Sequence, residues 1–414
     1  MDVPGAEVVS RTFADMTTLR IGGAPAGVVA CRSPRALAEV VSWCDANRQP
    51  FLVLGGGSNL VVGSGDEVSE LLVVLAEAGG SVDAEPDNDS DIEMDLSAGV
   101  VRAYAGVVWD DLVEATVQAG LGGLECLSGI PGSVGATPVQ NVGAYGAEVS
   151  QTLKRVQLLE LGGAGSDQEN CSEGWEQRWR WVDPAELNLG YRYSNLKFTG
   201  RAVVTAVEFQ LSTDGLSVPL RYGELARRVG VDESEAAAGP VCRPVAEVRE
   251  NVLALRAAKG MVLNAEDHDT WSAGSFFTNP IVTGVEARDA VIEAVREECG
   301  DTEADSMPVY AAGVSAVADQ AAGADVGGAA VPPEQQRFKF SAAWLIERAG
   351  FSKGWHVPGN NKASLSTKHT LALTNRGGAT SEDIVELARA VRDGVRDAFG
   401  VELEPEPIWI GAEL

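Results

Sequence analysis

The stretch Ser128–Gly146 reads SGIPGSVGATPVQNVGAYG, and its residues show neither the spacing of a helix nor the alternation of a strand. Glycines are interspersed with prolines, Thr137, Gln140 and Asn141. The pattern predicts a rigid, irregular backbone with free amide groups. Because a structureless stretch of this length inside a compact domain is usually functional, we expect this glycine-rich run to have a function.

A second glycine segment lies earlier in the chain, where LGGGSNL follows an apolar strand pattern. Gly55, Gly56 and Gly57 let the backbone approach a ligand closely, and successive free amides form a nest that suits a phosphate. A simple tight turn explains the triplet equally well. The segment is not a dinucleotide fingerprint, because Leu60 stands where the last glycine would be needed.

Composition limits the classes of function. The chain has 414 residues, 45% of them hydrophobic and 6% aromatic, which fits a globular protein of two or three domains. A net charge of −28 argues against nucleic acid and anionic membranes as partners. No basic start with an apolar run and no stretch of eighteen apolar residues is present, so we expect a cytoplasmic protein without membrane insertion.

The six cysteines are scattered and form no Cys-x-x-Cys pair, which argues against a metal site and a disulfide framework. We expect no bound metal and reduced thiols. None of the three histidines is assigned a role.

Helical and strand patterns are mixed along the chain, which indicates an α+β fold. Helices are predicted over 33–48, 109–120, 243–260, 285–299, 341–350 and 380–400, and strands over 51–54, 154–161 and 201–211. An acidic segment at 83–95 and an Ala/Gly-rich stretch at 311–330 are expected to be a solvated segment and a flexible insertion.

Eight motifs occur in an order that resembles the family of UDP-N-acetylenolpyruvoylglucosamine reductases. They are TTLRIGG, LGGGSNL, GLECLSGIPGSVGATPVQNVGAYG, LGYRYSNLKF, LRYGEL, GSFFTNP, AAWLIERAGFSKG and LEPEPIWIG. The resemblance spans Thr17 to Gly411, and LRYGEL is similar to the longer type of the family, which has an extra tyrosine-bearing loop.

The resemblance implies a three-domain flavoprotein with a vanillyl-alcohol-oxidase/PCMH-like FAD-binding fold and a C-terminal α/β substrate-binding domain. The implied domains are 1–77 with the C-terminal strand 408–414, then 78–262, then 263–407. It also implies non-covalent FAD and an NADPH-dependent reduction of UDP-N-acetylglucosamine enolpyruvate to UDP-N-acetylmuramate, a precursor of peptidoglycan. Oligomeric state does not follow from the residues, and a monomer is our expectation.

Such a reduction leaves an enolate whose charge collects on the substrate carboxylate, so the site needs a cation there and a proton donor. Arg192, Ser275 and Glu406 match the family's catalytic residues. Arg192 would hold the carboxylate, Ser275 would donate the proton, and Glu406 would polarise the carboxyl group with its pKa raised. By sequence alone, Glu404 is the alternative to Glu406.

The remaining family positions bind the cofactor and the substrate. Those expected to contact FAD are Gly55, Gly56, Gly57, Ser58, Asn59, Gly132, Ser133, Gly135, Ala136, Asn141 and Gly143. Tyr222 and Lys259 match contacts to the diphosphate and uridine end, and Asn279 matches a uracil contact. Thr278 stands where the family often has lysine, and AEDHDTW at 265–271 departs from the family pattern.

Two other functions remain open. The first is an FAD oxidase of the same fold that acts on an alcohol or lactone and is reoxidised by oxygen. The second is a non-catalytic protein that binds a nucleotide sugar. Steady NADPH turnover without peroxide would exclude the first, and flavin reduction would exclude the second.

Overall fold

A computed structural model describes residues 3–79, 91–162, 174–220, 223–312 and 332–414. Tyr222 lies outside the described residues, as do residues 83–90 of the acidic segment and residues 313–330 of the Ala/Gly-rich stretch.

The strands, numbered in chain order, are β1 (Ala6–Val9), β2 (Gly27–Cys31), β3 (Phe51–Leu54), β4 (Leu60–Val62), β5 (Leu72–Ala76), β6 (Ile92–Asp95), β7 (Val100–Tyr104), β8 (Gly143–Ala144), β9 (Ala147–Glu148), β10 (Leu153–Glu160), β11 (Trp179–Val182), β12 (Ala202–Gln210), β13 (Ile281–Thr283), β14 (Val309–Ala312), β15 (Arg337–Phe340), β16 (Ala363–Leu365), β17 (Leu373–Asn375) and β18 (Ile408–Ile410).

The α-helices are α1 (Phe13–Met16), α2 (Pro34–Asn47), α3 (Asp66–Ser69), α4 (Trp109–Gln118), α5 (Gly223–Arg228), α6 (Glu233–Ala238), α7 (Val245–Ala258), α8 (Val285–Cys299), α9 (Asp301–Ser306), α10 (Ala342–Arg348) and α11 (Ser381–Phe399). Short 3-10 turns include Glu125–Leu127, Val134–Ala136 and His268–Thr270.

The described chain divides into two compact units. The first unit contains Met1–Thr12, Ala24–Gly57 and Asp66–Val262, and the second contains Phe13–Gly23, Ser58–Gly65 and Leu263–Leu414. The three-way division expected from the sequence stays a prediction.

The first unit contains two larger sheets and the two-stranded pair of β8 and β9. In the order β1-β2-β5-β3, β1 is antiparallel to β2, whereas β2, β5 and β3 are mutually parallel. The second sheet, β11-β10-β12-β7-β6, is antiparallel throughout. Helix α2 begins as its sequence predicts, because the Ser33 hydroxyl accepts a hydrogen bond from Ala36 N at 3.1 Å and Pro34 occupies the first turn.

The second unit has a different construction. Strands β13, β15 and β14 form one antiparallel sheet, β16 and β17 form a hairpin, and β18 pairs in parallel with β4. The long helix α11 starts at a capping box of Thr380 and Asp383 and buries an apolar stripe that includes Ile384, Leu387 and Val391. This stripe belongs to the same buried cluster as Phe276 and Phe277.

The mixed content of helices and strands confirms the predicted α+β class. Within the described ranges, no helix is long and apolar enough to cross a membrane. The same ranges contain no group of three or more histidine, cysteine or acidic side chains that could hold a metal ion.

Candidate functional site

The two glycine segments meet inside the first unit. A Cβ added to Gly55 would collide with the Ser133 hydroxyl, and a Cβ added to Gly56 would lie 2.7 Å from the Cα of Gly132. Cβ atoms do not approach other atoms this closely, so the first segment fits against the second only because both positions lack side chains. The glycines therefore serve the contact between the two loops as well as any ligand.

Part of the long run is hydrogen-bonded within the protein. Val134 N donates to Val107 O at 2.9 Å, and Gly135 N donates to Ala105 O at 2.9 Å. The expectation of free amides is wrong for these two positions. It holds at the loop contact, because no described residue accepts a hydrogen bond from the amides of Gly132 and Ser133.

A buried carboxylate lies just before the long glycine-rich run. Glu125 is fully buried, and its carboxylate accepts hydrogen bonds from Gly123 N at 2.6 Å and Val218 N at 2.7 Å. Its location inside an otherwise apolar, glycine-rich stretch was a signal that the sequence analysis missed. Burying a carboxylate is unfavourable unless donors compensate it, so this side chain has a structural purpose.

Asp110 supports the same run from α4. Its carboxylate accepts hydrogen bonds from Gly129 N at 2.6 Å and Arg249 Nη1 at 2.6 Å. Burial raises the pKa of Asp110, but the Arg249 guanidinium and the Gly129 amide outweigh burial and hold the pKa below its usual range. The charged form of Asp110 is therefore the form that fixes Gly129.

Arg192 contacts the long run directly. It lies in the left-handed region with φ 54°, and its Nη2 donates to Gly143 O at 2.8 Å. The Asn141 side-chain amide donates to Gly190 O at 3.0 Å, which ties the run to the turn that carries Arg192. These bonds bring the predicted carboxylate-binding arginine to the predicted flavin-binding loop.

The polar atoms of the Asn141 side chain form most of their hydrogen bonds within the protein. Its amide also donates to Glu148 Oε2 at 3.0 Å, and its Oδ1 accepts a hydrogen bond from Ser150 N at 3.1 Å. Its contribution to FAD binding stays a prediction, and its contribution to the shape of the loop is visible.

The predicted substrate lysine lies at the end of α7. Lys259 Nζ pairs with Glu224 Oε2 at 2.7 Å, and Glu224 belongs to the LRYGEL motif that also contains Tyr222. The structure thus brings the lysine to that motif, while Tyr222 itself lies outside the described residues.

In the second unit, the segment that contains Ser275 pairs with the segment that contains Glu406. Glu406 N donates to Phe276 O at 2.9 Å, and Thr278 N donates to Glu404 O at 2.9 Å. These residues lie about 130 positions apart in the sequence, so only folding brings them together. The Ser275 hydroxyl is half-buried and has no hydrogen-bond partner among the described residues.

The two candidate acids differ in their surroundings. Glu404 is exposed, whereas Glu406 is partly buried. The backbone oxygen of Glu406 also accepts a hydrogen bond from Asn59 Nδ2 at 3.4 Å, and Ile408 N donates to Asn59 O at 2.9 Å. The expected rise in the pKa of Glu406 stays a prediction, and the difference in exposure favours Glu406 over Glu404.

The side chain of Asn279 makes a hydrogen bond within the protein. Its Oδ1 accepts a hydrogen bond from Ala342 N at 2.9 Å, next to the Ser341 cap at the start of α10. A contact to uracil through the amide nitrogen of Asn279 stays a prediction. Thr278 makes a long hydrogen bond from its hydroxyl to Glu404 O at 3.4 Å.

The fold and the glycine loops define a protein that binds a nucleotide cofactor, and residues 25–164 match the model of an FAD binding domain. Residues 265–410 match the model described as UDP-N-acetylenolpyruvoylglucosamine reductase, C-terminal domain. The chain belongs to the UDP-N-acetylenolpyruvoylglucosamine reductase family.

Three similar proteins bear that name. The one from Corynebacterium jeikeium (strain K411) is 67% identical and covers 100% of this chain and 93% of its own length. The one from Corynebacterium glutamicum (strain R) is 51% identical, with coverage of 100% and 96%. The one from Mycobacterium tuberculosis (strain ATCC 25618 / H37Rv) is 45% identical, with coverage of 99% and 97%.

A solved structure supports the fold. UDP-N-acetylenolpyruvylglucosamine reductase from Thermus caldophilus superimposes with a TM-score of 0.55 at 24% identity, covering 98% of this chain and 99% of that chain. The predicted family and FAD-binding fold are confirmed.

Proposed function

We propose that this chain reduces UDP-N-acetylglucosamine enolpyruvate to UDP-N-acetylmuramate with NADPH, by way of non-covalently bound FAD, in the synthesis of peptidoglycan precursors. The family membership supports the reaction. Within the structure, the single observation that carries the proposal is the pairing of residues 276–278 with residues 404–406. This pairing brings the backbone next to Ser275 to the backbone of Glu406, and these two residues carry the hydroxyl and the carboxyl group that the proton chemistry requires.

The two glycine segments would hold FAD, which would supply the hydride chemistry that links NADPH to the enolpyruvyl double bond. The Arg192 guanidinium binds the substrate carboxylate, because its planar fork of donors matches two carboxylate oxygens. Glu406 donates a hydrogen bond to the same carboxyl group when it is protonated, which favours the enolate. The Ser275 hydroxyl then gives its proton to the neighbouring carbon of the enolate.

The loop contact in the first unit fits an FAD diphosphate. The amides of Gly132 and Ser133 are donors without protein acceptors in the described part of the chain, and they lie against Gly55 and Gly56. Neutral amides bind a diphosphate without the lysine that a protein of net charge −28 would otherwise need to attract it. Ser58 and Asn59 continue the first glycine segment as further proposed donors.

The substrate's diphosphate and uridine end is assigned to Lys259, Tyr222 and Asn279. The ion pair with Glu224 holds the Lys259 ammonium in a defined direction before substrate arrives. The cytoplasmic location and the monomeric state expected from the sequence stay predictions.

Separate measurement of the two half-reactions tests the proposal. NADPH should bleach the flavin of Ser275→Ala at close to the normal rate, because hydride transfer to FAD does not involve this hydroxyl. Reoxidation by the enolpyruvyl substrate should be slower by roughly a hundredfold to ten-thousandfold, as is typical when a general acid is lost. Stopped-flow absorbance of the flavin follows both steps.

The exposed Ser352 provides a matched control in the same unit, and Ser352→Ala should leave both steps unchanged. Acid or heat should release free FAD from the protein, because no covalent link is proposed. Normal reoxidation of Ser275→Ala would contradict the assigned role. Reoxidation of the normal protein by oxygen alone would favour the oxidase, and a flavin that NADPH does not reduce would favour the binding protein.

A further inference from the structure

The segment 265–271, AEDHDTW, lies two residues before the motif GSFFTNP, which contains Ser275, and it contains a buried carboxylate. A 3-10 turn runs over His268–Thr270, and Asp267 caps it by accepting a hydrogen bond from Asp269 N at 3.0 Å. Asp269 is only 5% exposed. Burying a carboxylate without hydrogen-bond donors is strongly unfavourable, so the hydrogen-bond partners of Asp269 indicate its structural role.

The Asp269 carboxylate binds two residues of one hairpin. Oδ1 accepts hydrogen bonds from Thr367 N at 2.8 Å and Arg376 Nη1 at 2.9 Å, and Oδ2 accepts one from Thr367 Oγ1 at 2.5 Å. Burial raises the pKa of Asp269, but the Thr367 donors and the Arg376 charge outweigh burial and lower the pKa. The carboxylate is therefore ionised and makes charge-assisted hydrogen bonds.

Thr367 and Arg376 mark the two ends of the β16–β17 hairpin. Thr367 follows β16 after one intervening residue, and Arg376 directly follows β17. One carboxylate thus holds the loop at its start and the returning strand at its end.

The hairpin also contacts the chain downstream of Asp269, at residues 271–276, which we call the serine segment because it contains Ser275. Asn375 N donates to Trp271 O at 3.0 Å, and Ser272 pairs with Thr374. Further along, Phe276 N donates to Leu371 O at 2.7 Å. The hairpin therefore contacts the serine segment on both sides of Ser275.

Between these contacts the chain turns at Gly274, which has φ 77°. Ser275 lies next to this turn and is held at one side by the Phe276 bond and at the other by the contacts of residues 269–272. A shift of the hairpin against the upstream contacts would move the serine hydroxyl, and displacements of about 1 Å can cost about a hundredfold in rate.

We propose that Asp269 is a positioning residue that sets the location of the Ser275 hydroxyl by clamping both ends of the β16–β17 hairpin. This proposal rests on the proposed function, since it assigns the effect to proton donation by Ser275. Asp269 acts through the backbone of the serine segment and does not contact the substrate.

The test compares Asp269→Asn with Asp267→Asn in the FAD-loaded full chain. Asp267 belongs to the same turn and pairs with Lys368 Nζ at 2.6 Å in the same hairpin, but its side chain is 30% exposed. Asp269→Asn should slow reoxidation by the enolpyruvyl substrate by about tenfold or more, whereas Asp267→Asn should change it by less than about twofold. In both variants, NADPH should reduce the flavin at the normal rate.

A readout specific to proton transfer completes the test. The ratio of reoxidation rates in H2O and D2O should increase in Asp269→Asn, because proton donation becomes the slower step. Asp269→Glu retains the charge and should recover part of the rate. If Asp269→Asn fails to fold, Thr367→Val removes one bond of the clamp and should slow reoxidation by about threefold with the same isotope signature.

Normal reoxidation of the Asp269→Asn variant would overturn the proposal. So would an equal loss in both half-reactions, since that result indicates a general structural defect. Failure of the proposed function is a distinct result, in which the reduced flavin of the unmodified protein is not reoxidised by the enolpyruvyl substrate.

Discussion

The two glycine loops of the first unit and the Ser275 and Glu406 segments of the second unit are assembled by opposite means. Gly55 and Gly56 meet Gly132 and Ser133 because side chains are missing there. The segments 276–278 and 404–406 meet through backbone hydrogen bonds, which any residue except proline can donate.

This difference explains how easily each region can be recognised from its sequence. A close approach of two backbones requires glycine, so the first region carries a visible signature. Backbone pairing leaves the side chains free to serve chemistry, so the second region carries only a serine and an acid in separate motifs. The register of pairing decides which acid accompanies Ser275, and a change of register would exchange the candidates.

The largest expected effect tests that register. Glu406→Ala should slow flavin reoxidation by the enolpyruvyl substrate by roughly a hundredfold to a thousandfold with FAD still bound, because the hydrogen-bond donor to the carboxyl group is lost. Glu404→Ala should change the rate by less than about twofold, because Glu404 is exposed. Stopped-flow absorbance of the flavin provides the rate, and the visible spectrum provides the FAD content.

Arg192→Lys should slow flavin reoxidation by the enolpyruvyl substrate by a similar factor, since lysine cannot form two parallel hydrogen bonds to a carboxylate. Slow reoxidation in Glu404→Ala together with normal reoxidation in Glu406→Ala would show that Glu404, and not Glu406, polarises the carboxyl group.

The second largest expected effect tests whether the two glycine loops pack together because side chains are absent at their contact. Gly55→Ala should weaken FAD binding by about tenfold or more, because the new Cβ collides with the Ser133 hydroxyl. Titration of the FAD-depleted chain with FAD, followed by flavin fluorescence, measures the dissociation constant.

The double variant Gly55→Ala with Ser133→Gly removes the collision, since the Cα of residue 133 lies 4.0 Å from the added Cβ. The double variant should bind FAD within about threefold of Ser133→Gly alone if the two changes compensate. Weak binding in the double variant would mean that Gly55 serves the ligand itself rather than the contact between loops.

The smallest expected effect is a loss of stability at acidic pH. Both regions should lose stability as the pH falls. In the first unit, Glu208 is almost completely buried in β12 and accepts hydrogen bonds from Arg155 Nε and Nη2, each at 2.9 Å. Burial raises the pKa of Glu208, but Arg155 and Lys154 outweigh burial and lower it, as the Thr367 and Arg376 donors do for Asp269.

A lowered pKa in the folded state means that each carboxylate stabilises the protein above its unfolded pKa of about 4 and that this stabilisation is lost as the pH falls further. Glu208→Gln should therefore reduce the free energy of opening of the β7–β12–β10 sheet by about 1–3 kcal/mol at neutral pH and weaken its acid dependence. Hydrogen exchange of peptides from these strands measures both quantities.

Glu93 is the matched control, because it pairs with Arg102 in the same sheet but its side chain is 42% exposed. Glu93→Gln should change the opening free energy by less than about 0.5 kcal/mol. Equal effects of Glu93→Gln and Glu208→Gln would show that burial of the carboxylate does not matter here.

Much of the fold was predictable because local rules determine it. The Ser33 cap with Pro34, the spacing of apolar residues in α2, α4, α7 and α11, and the glycine signature of the loops all act over a few residues. The family motifs extended the prediction to FAD and to the reaction, and the family is confirmed.

The sequence by itself determined six of the helices, three of the strands, the glycine loops, the family and a short set of candidate residues. Only the tertiary structure decided that Glu406 and not Glu404 is the partly buried acid beside the serine segment, that Arg192 contacts Gly143, and that Asp269 holds a hairpin about a hundred residues away. Those contacts join parts of the chain that have no local influence on one another. Their geometry depends on burial and on strand register, which exist only once the chain has folded.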